Sequence, residues 1–393
     1  MTLELERVPA SSAAGAPRRL TTPDRDALRT YGLLVLSVWI TVFCTGWLFP
    51  GDPASKATPH PLAGWDQWDA VFFRWIAEYG YFPAPGASPA GDNREAFFPG
   101  LPILLRVVHL VVPSWTAAGL VISLVSGAVA VVALGRIADR QCGGTGPRAV
   151  RFLLLSPCAV FLVAGYTEML FLALALPAWL AAKDRRWPLA GVLAALATAV
   201  RPSGLFLAAA IVVELVLAAA RPRRPRALVQ GFAWLMLPIL PPAAFTVYLH
   251  GHTADWMAWQ HAQERGWYRN FHAPWSTWAT TWSSAFGNEQ TTGYALMFQA
   301  ELVAVVVGVL LTGWLVRRRR IPEAVYVGLS LAALGTSYWY TSVPRASLLW
   351  WPLWVGLAGW VRRRRTVGEV YVCLSAPLMV VLTVTFASGR WAG

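Results

Sequence analysis

Residues 31–49, YGLLVLSVWITVFCTGWLF, form an apolar stretch long enough to cross a bilayer as a helix. Comparable stretches recur from this point almost to the end of the sequence. Of the 393 residues, 56% are hydrophobic and only 13% are charged, which is too little charge to cover a soluble protein of this length. The sequence therefore predicts an all-α polytopic membrane protein.

The charged residues indicate how the chain is threaded. There are 33 basic and 20 acidic residues, and the net charge is +13. The basic residues cluster between apolar stretches rather than in one patch, which is the positive-inside pattern and argues against a nucleic-acid partner. We expect a cytoplasmic basic tail at residues 1–30 and a transmembrane domain at 31–393. The other segments placed on the cytoplasmic side are 136–151, 183–186, 221–226, 317–320 and 362–365.

This placement predicts about eleven transmembrane helices in the cell membrane, with long outer loops at 51–98 and 251–293. Residues 99–134 should hold one span and one partial helix, broken near Pro113. Residues 152–182 and 188–220 should each form a tight hairpin, with outer tips near 165–168 and 201–204. Further spans are expected at 230–250, 294–316, 322–340, 348–361 and 367–387.

The candidate chemistry collects on the outer side. In residues 65–81, Trp68, Phe72, Trp75 and Tyr79 recur at helical spacing, which predicts an amphipathic helix in the membrane interface. This helix is either a simple anchor or the support for a carboxylate that accepts a proton from a substrate hydroxyl.

Two outer arginines have two interpretations. Arg201 and Arg345 can bind a phosphate through the guanidinium fork. Alternatively, Arg201 pairs with Glu168 and stabilises the fold. Glu301, inside an apolar stretch, has no explanation from the sequence.

No metal site is expected. His250, His252, His261 and His272 are scattered in the second outer loop without the spacing of a zinc site. The outer loops also lack the carboxylate cluster that Mg²⁺ or Mn²⁺ prefers. We expect no cofactor.

Six segments, in order, resemble the PIG-V-like (GPI mannosyltransferase II) glycosyltransferases, and most of all their bacterial and actinobacterial relatives. They are WDAVFFRWIAEYGY (68–81), AFFPGLP (96–102), YTEMLF (166–171), RPSG (201–204), AWQHAQERGW (258–267) and VPR (343–345). The resemblance departs at two tips. Thr167 stands where the family usually has Ser, and the Asn of its Arg-Ser-Asn-Gly variant is absent from Arg201-Pro202-Ser203-Gly204.

The resemblance implies a GT-C-type glycosyltransferase that takes mannose from a polyprenyl-phosphate donor. It maps the essential acidic residue onto Asp69, after Trp68, rather than onto Asp66. Asp69 would then be the general base of an inverting transfer to an outer-face glycolipid or glycan acceptor, with Arg201 and Arg345 at the donor phosphate. The residues expected to contact the substrates are Trp68, Tyr166, Glu168, Gln263, Trp267 and Arg269.

Two other functions fit the same residues. One is a GT-C enzyme that uses another lipid-linked sugar. The other is a lipid or solute transporter in which polar hairpin tips line a pathway and Glu301 is the coupling carboxylate. The sequence shows no internal repeat of the kind that many transporters contain.

Overall fold

The computed structural model describes residues 20–50, 56–84, 93–220 and 225–393. All regular elements in these ranges are helices, which confirms the predicted all-α class. In chain order the α-helices are α1 (Thr22–Leu48), α2 (Asp69–Tyr79), α3 (Gly100–His109), α4 (Trp115–Gln141), α5 (Gly146–Leu154), α6 (Thr167–Lys183), α7 (Trp187–Val200), α8 (Ser203–Ala219), α9 (Pro225–Trp234), α10 (Leu240–Thr253), α11 (Ala258–Trp267), α12 (Pro274–Phe286), α13 (Thr292–Arg317), α14 (Ile321–Leu334), α15 (Val343–Ser347), α16 (Trp351–Val361) and α17 (Arg365–Ala387).

Five helical stretches in the described residues are long and apolar enough to cross a membrane. The chain is thus a polytopic membrane protein by the length and composition of its helices. The larger number of eleven crossings stays a prediction. The five stretches are Thr22–Leu48, Trp115–Gln141, Leu228–Thr253, Thr292–Arg317 and Arg365–Ala387.

The first of these begins at Thr22, earlier than the predicted span at residue 31. Thr21 and Asp24 form a capping box, in which the Thr21 side chain accepts from the Asp24 N–H and the Asp24 carboxylate accepts from the Thr21 N–H. Arg136 on α4 donates to both Asp24 oxygens, at 3.1 and 2.9 Å. These contacts fix the start of α1, which takes in the end of the predicted tail. Residues 1–19 of that tail lie outside the described residues.

The middle of the bundle is α6, which packs against α4, α7 and α8. Its residues are buried almost all round the helix, as expected for a helix enclosed by others. Glycines permit close packing at its start, since a Cβ on Gly119 of α4 would lie 3.1 Å from Cα of Gly165. The turn before α6 is therefore held tightly against α4.

Two predicted helical arrangements around this core are confirmed. The stretch 99–134 holds the short α3 and the long α4, separated at residues 110–114. Residues 188–220 form the hairpin of α7 and α8, which is interrupted at Arg201 and Pro202.

The other predicted hairpin is wrong in its first arm. The α5 helix ends at Leu154, and only a short 3₁₀ helix, Ala159–Leu162, precedes α6. Pro157 lies between them, and a proline interrupts a helix because it lacks the N–H that the preceding turn would accept. The predicted span 322–340 is also too long, because α14 ends at Leu334.

The predicted amphipathic helix is present as α2, with Phe73, Ile76 and Ala77 buried. It packs on α3, which in turn contacts α4 and α7. A Cβ on Gly100, at the start of α3, would lie 2.7 Å from the carbonyl oxygen of Ala199, so only glycine allows this approach to α7. The start of α3 is thereby fixed beside the tip of the α7–α8 hairpin.

Candidate active site

The Asp69 carboxylate lies in the first turn of α2, where a negative charge favours the helix start. Trp68, the residue before it, has a φ of 49°, which is costly for an aromatic residue. The indole N–H of Trp68 donates to the carbonyl oxygen of Arg390 at 3.1 Å, a contact with the segment that follows α17. A long-range contact thus accompanies the strained turn that presents Asp69.

Arg345 connects two carboxylates from distant segments. Its Nη1 donates to Oδ2 of Asp69 at 2.6 Å, and its Nε donates to Oε1 of Glu168 at 2.6 Å. The guanidinium lies 4.6 Å from the ring centre of Tyr166 and 4.8 Å from that of Phe161, which are cation–π distances. With only 8% of its surface exposed, Arg345 is neutralised and held by neighbours on several sides.

Arg201 extends this hydrogen-bonded chain. Its Nη1 donates to Oε1 of Glu168 at 2.6 Å and to the hydroxyl of Thr167 at 2.8 Å. The Glu168–Arg201 pair considered from the sequence is therefore present, although Glu168 also binds Arg345. Glu168 is fully buried, whereas 23% of the Arg201 side chain remains exposed.

A cavity of about 500 Å³ lies beside this chain of charges. Its size suits a small ligand. Of the residues predicted to bind substrate or act on it, only Glu168 does not line the cavity. It is buried next to the cavity and binds Arg201 and Arg345. The predicted residues that line the cavity are Trp68, Asp69, Tyr166, Arg201, Gln263, Trp267, Arg269 and Arg345.

Arg269, which follows α11, contributes another cation to the cavity. Its Nη1 donates to Oε1 of Gln263 at 3.3 Å, and within the described residues no carboxylate lies within 4 Å of it. Burial lowers the pKa of Arg269 to about 10; Asp69 opposes this, while Arg201 and Arg345 add to it. The side chain still carries its charge at neutral pH.

The backbone between α2 and α3 holds α11 against the cavity. The carbonyl oxygen of Ala96 accepts hydrogen bonds from the Gln263 amide at 2.8 Å and from the Trp259 indole at 3.2 Å. Ala96 begins AFFPGLP (96–102), one of the six segments quoted from the sequence. The backbone at Ala96, in the first predicted outer loop, thus positions α11, which belongs to the second predicted outer loop.

Glu301, which has no explanation from the sequence, has a clear structural role. This buried carboxylate on α13 accepts the backbone N–H groups of Ser342 at 2.6 Å and Val343 at 2.8 Å. Those groups lie at the start of α15, the short helix that carries Arg345, where no side chain of its own acts as a cap. Pro344 in the first turn marks a helix start in the sequence, but not the distant residue that caps it.

The chain before α15 is held by hydrogen bonds to the segment around α12. The Thr277 hydroxyl donates to the carbonyl oxygen of Ser337 at 2.6 Å, and the Thr281 hydroxyl accepts from the Tyr340 N–H at 2.9 Å. These contacts explain why residues 335–342 do not continue α14. Through these contacts α12, which was predicted to lie in an outer loop, holds the segment that leads to α15 and Arg345.

The histidines of the second predicted outer loop make separate contacts. His261 pairs with Asp255 at 2.7 Å, His250 stacks on Trp256, and His252 stacks on Phe82. Within residues 20–50, 56–84, 93–220 and 225–393, no group of three or more His, Cys, Asp or Glu side chains is placed to hold a metal ion.

No family model matches the sequence. The chain is 30% identical to the mouse GPI alpha-1,6-mannosyltransferase 2 over 187 residues, which is 44% of this chain and 36% of the mouse protein. It is 35% identical over 157 residues to the proteins of the same name from Cricetulus griseus and from human, which is 37% of this chain and 30% of each relative. The matches therefore span only about a third of those relatives. The chain has distant, partial homology to GPI alpha-1,6-mannosyltransferase 2.

Proposed function

We propose that the chain is a membrane mannosyltransferase that moves mannose from a polyprenyl-phosphate donor to a hydroxyl of an outer-face glycolipid or glycan. The observation that carries this proposal is the chain Asp69–Arg345–Glu168–Arg201, whose links are all 2.6 Å, beside one cavity. Partial homology to enzymes named as mannosyltransferases supports the reaction class.

The energetics of burial favour a function for these charges over a purely structural role. Buried ion pairs recover their desolvation cost only in part, and apolar residues of similar volume often stabilise a protein as well or better. Arg345 and Glu168 are 8% and 0% exposed, so both have lost nearly all their hydration. Their retention beside a cavity is typical of a site that handles charged substrates.

In the proposed reaction, Asp69 accepts the proton of the acceptor hydroxyl as that oxygen bonds to the anomeric carbon of the donor. The bond from the anomeric carbon to the phosphate oxygen breaks, and its electrons leave with the polyprenyl phosphate. A single displacement inverts the configuration at the anomeric carbon. The Asp69 side chain keeps 20% of its surface exposed, so a hydroxyl can reach it.

The leaving phosphate needs positive charge around it. Arg201 and Arg345 remain the proposed donor-phosphate residues, and Arg269 joins them in the wall of the same cavity. Guanidinium groups held in a partly dehydrated cavity stabilise a phosphate anion more strongly than they would in water. A lipid phosphate is itself the leaving group, so this reaction requires no nucleotide.

We also propose that the site faces the outside of the cell, with the amino-terminal end in the cytoplasm. The basic run Arg317–Arg320 lies at the end of α13 that is distant from Glu301 and the cavity. Under the positive-inside bias this run is cytoplasmic, which puts the cavity on the opposite side. The preference for arginine over lysine, with only Lys56 and Lys183 as exceptions, supports a bacterial source.

The transporter alternative loses its main support. It relied on Glu301 as a mobile coupling carboxylate, but both Glu301 oxygens hold backbone N–H groups at the start of α15. The other alternative, a GT-C enzyme that moves another lipid-linked sugar, would use the same cavity and is examined by the same transfer assay.

The direct test uses the full chain purified into lipid nanodiscs and supplied with radiolabelled polyprenyl-phosphate mannose and an alkyl mannoside. We expect label to appear in the alkyl glycoside and expect EDTA to have no effect. A wild-type protein that neither transfers nor hydrolyses this donor, but accepts another polyprenyl-phosphate sugar, would point to the other GT-C enzyme. Inactivity with every such donor contradicts the proposal.

A further inference from the structure

Residues 390–393 follow α17, and the last three of them form part of the cavity wall. Trp391, Ala392 and Gly393 line the cavity, and Arg390 accepts the indole N–H of Trp68 at 3.1 Å. A Cβ built on Gly393 would lie 3.5 Å from Cβ of Arg345. This segment therefore touches the residue before Asp69 and the arginine that binds Asp69, although it lies far from Trp68 in sequence.

Trp391 also belongs to a continuous row of aromatic rings, which we name the aromatic wall. Its members are Tyr268, Tyr294, Phe298, Trp339 and Trp391, and all five line the cavity. The ring centres of neighbours are 5.3 Å apart for Tyr268 and Trp339, 5.3 Å for Trp339 and Phe298, 5.4 Å for Phe298 and Trp391, and 5.5 Å for Trp391 and Tyr294.

The aromatic wall differs in chemistry from the rest of the site. It carries no charge, and its outer members Tyr268 and Tyr294 are 55% and 46% exposed, whereas Phe298 is 3% exposed and anchors the row. Sugar rings present apolar C–H faces that stack on aromatic rings, while their hydroxyls stay free to make hydrogen bonds. An open, uncharged aromatic surface beside a carboxylate is thus suited to a saccharide ring with one hydroxyl directed at that carboxylate.

The two substrates would occupy different parts of the cavity. The donor sugar is fixed by its phosphate, which the arginines attract. Trp391 lines the same cavity as Asp69, and its neighbour Arg390 accepts a hydrogen bond from Trp68, the residue before Asp69. We infer that Trp391 is the acceptor-binding residue of the aromatic wall and that residues 390–393 help to determine which saccharide is accepted, an inference that rests on the proposed function.

The test measures saccharide binding separately from transfer. Wild type, Trp391→Ala, Trp391→Phe and Trp360→Ala are reconstituted in nanodiscs and titrated calorimetrically with octyl α-D-mannopyranoside, with octanol as the apolar probe. Trp360 is a matched control because it is an exposed tryptophan on α16 that does not line the cavity. Melting temperatures and the KM for polyprenyl-phosphate mannose are measured on the same samples.

We expect Trp391→Ala to weaken glycoside binding about tenfold, which corresponds to about 1.4 kcal/mol. Trp391→Phe should recover most of the affinity, Trp360→Ala should bind as wild type does, and octanol binding and the donor KM should not change. Equal affinity of wild type and Trp391→Ala overturns the inference, as does a parallel rise in the donor KM or a wild type that binds no glycoside. Trp391-dependent binding without mannose transfer supports the saccharide site and contradicts the proposed function.

Discussion

Asp69, Glu168, Arg201 and Arg345 act at the residue scale as one hydrogen-bonded unit. Each carboxylate has a guanidinium partner, and Glu168 has two. Removing Arg345 leaves Asp69 without a guanidinium, and removing Glu168 leaves Arg201 without a carboxylate; breaking a buried pair in this way commonly costs about 3–5 kcal/mol. Single substitutions in this unit will therefore affect both folding and catalysis, and each test needs a control that separates the two.

Asp69→Asn should reduce mannose transfer at least a hundredfold, because a general base typically contributes about 10²–10⁴-fold. The amide keeps the shape of the side chain but cannot take the proton. Asp66→Asn is the matched control, since Asp66 pairs with Arg74 and does not line the cavity. Burial raises the pKa of Asp66 although Arg74 opposes this, so its amide form should be tolerated. A larger loss in Asp66→Asn than in Asp69→Asn would mean that Asp69 is not the base.

Arg201→Lys should raise the KM for the donor more than the KM for the acceptor, because lysine keeps the charge but loses the guanidinium fork. Arg140→Lys, in the exposed pair with Asp184, is the control and should change neither constant. Melting curves run in parallel test the alternative that Arg201 only stabilises the fold through its pair with Glu168. A lowered melting temperature with an unchanged donor KM would assign Arg201 to the fold alone.

At the scale of elements, the position of Arg345 depends on α13, because Glu301 supplies the cap of α15. Glu301→Gln replaces one of the two acceptor oxygens with an amide NH₂ that cannot accept a hydrogen bond, so we expect a loss of about 1–3 kcal/mol in stability. Arg345 lies on α15 and should shift with it, so the KM for the donor should rise in Glu301→Gln. Glu301→Asp, which keeps two acceptor oxygens, should reverse part of that rise. A melting-temperature loss with no change in donor KM would limit Glu301 to a structural role.

The elements also show what the sequence can predict. Local patterns sufficed for α2, whose aromatic spacing is helical, and for the α7–α8 hairpin, where a proline separates two apolar runs. The first arm of the hairpin predicted at 152–182 was too long, because the prediction followed the apolar content of the stretch and gave too little weight to Pro157. The early end of α14 was missed because the groups that replace its helical hydrogen bonds, Thr277 and Thr281, are distant in sequence.

The candidate site follows the same division. The predicted topology brought Arg201 and Arg345 to the outer side, and the resemblance to a family selected Asp69 over Asp66. The structure places all three around one cavity. Glu301 and Trp391 have no local signal, because each acts through a contact with a segment that only the tertiary fold brings near. Sequence patterns report the neighbours of a residue along the chain and seldom its partners across the fold.

For the whole molecule, the proposed orientation can be measured with a membrane-impermeant maleimide on intact cells. In a variant that lacks Cys44, Cys142, Cys158 and Cys373, we expect Glu289→Cys, in the exposed segment after α12, to be labelled at once. Arg318→Cys, after α13, should be labelled only once the membrane is permeabilised. The two sites lie on either side of the apolar α13, so the opposite pattern would invert the whole topology.

The ion pair between Arg345 and Asp69 has a kinetic consequence for the proposed transfer reaction. Without a donor, the Arg345 guanidinium occupies Oδ2 of Asp69, one of the two oxygens that could receive the proton of an acceptor hydroxyl. An incoming donor phosphate competes for the same guanidinium and loosens its hold on Asp69. The Asp69 oxygen is then freed only after the lipid-linked sugar has arrived, so proton removal from the acceptor waits for the donor, whichever substrate binds first.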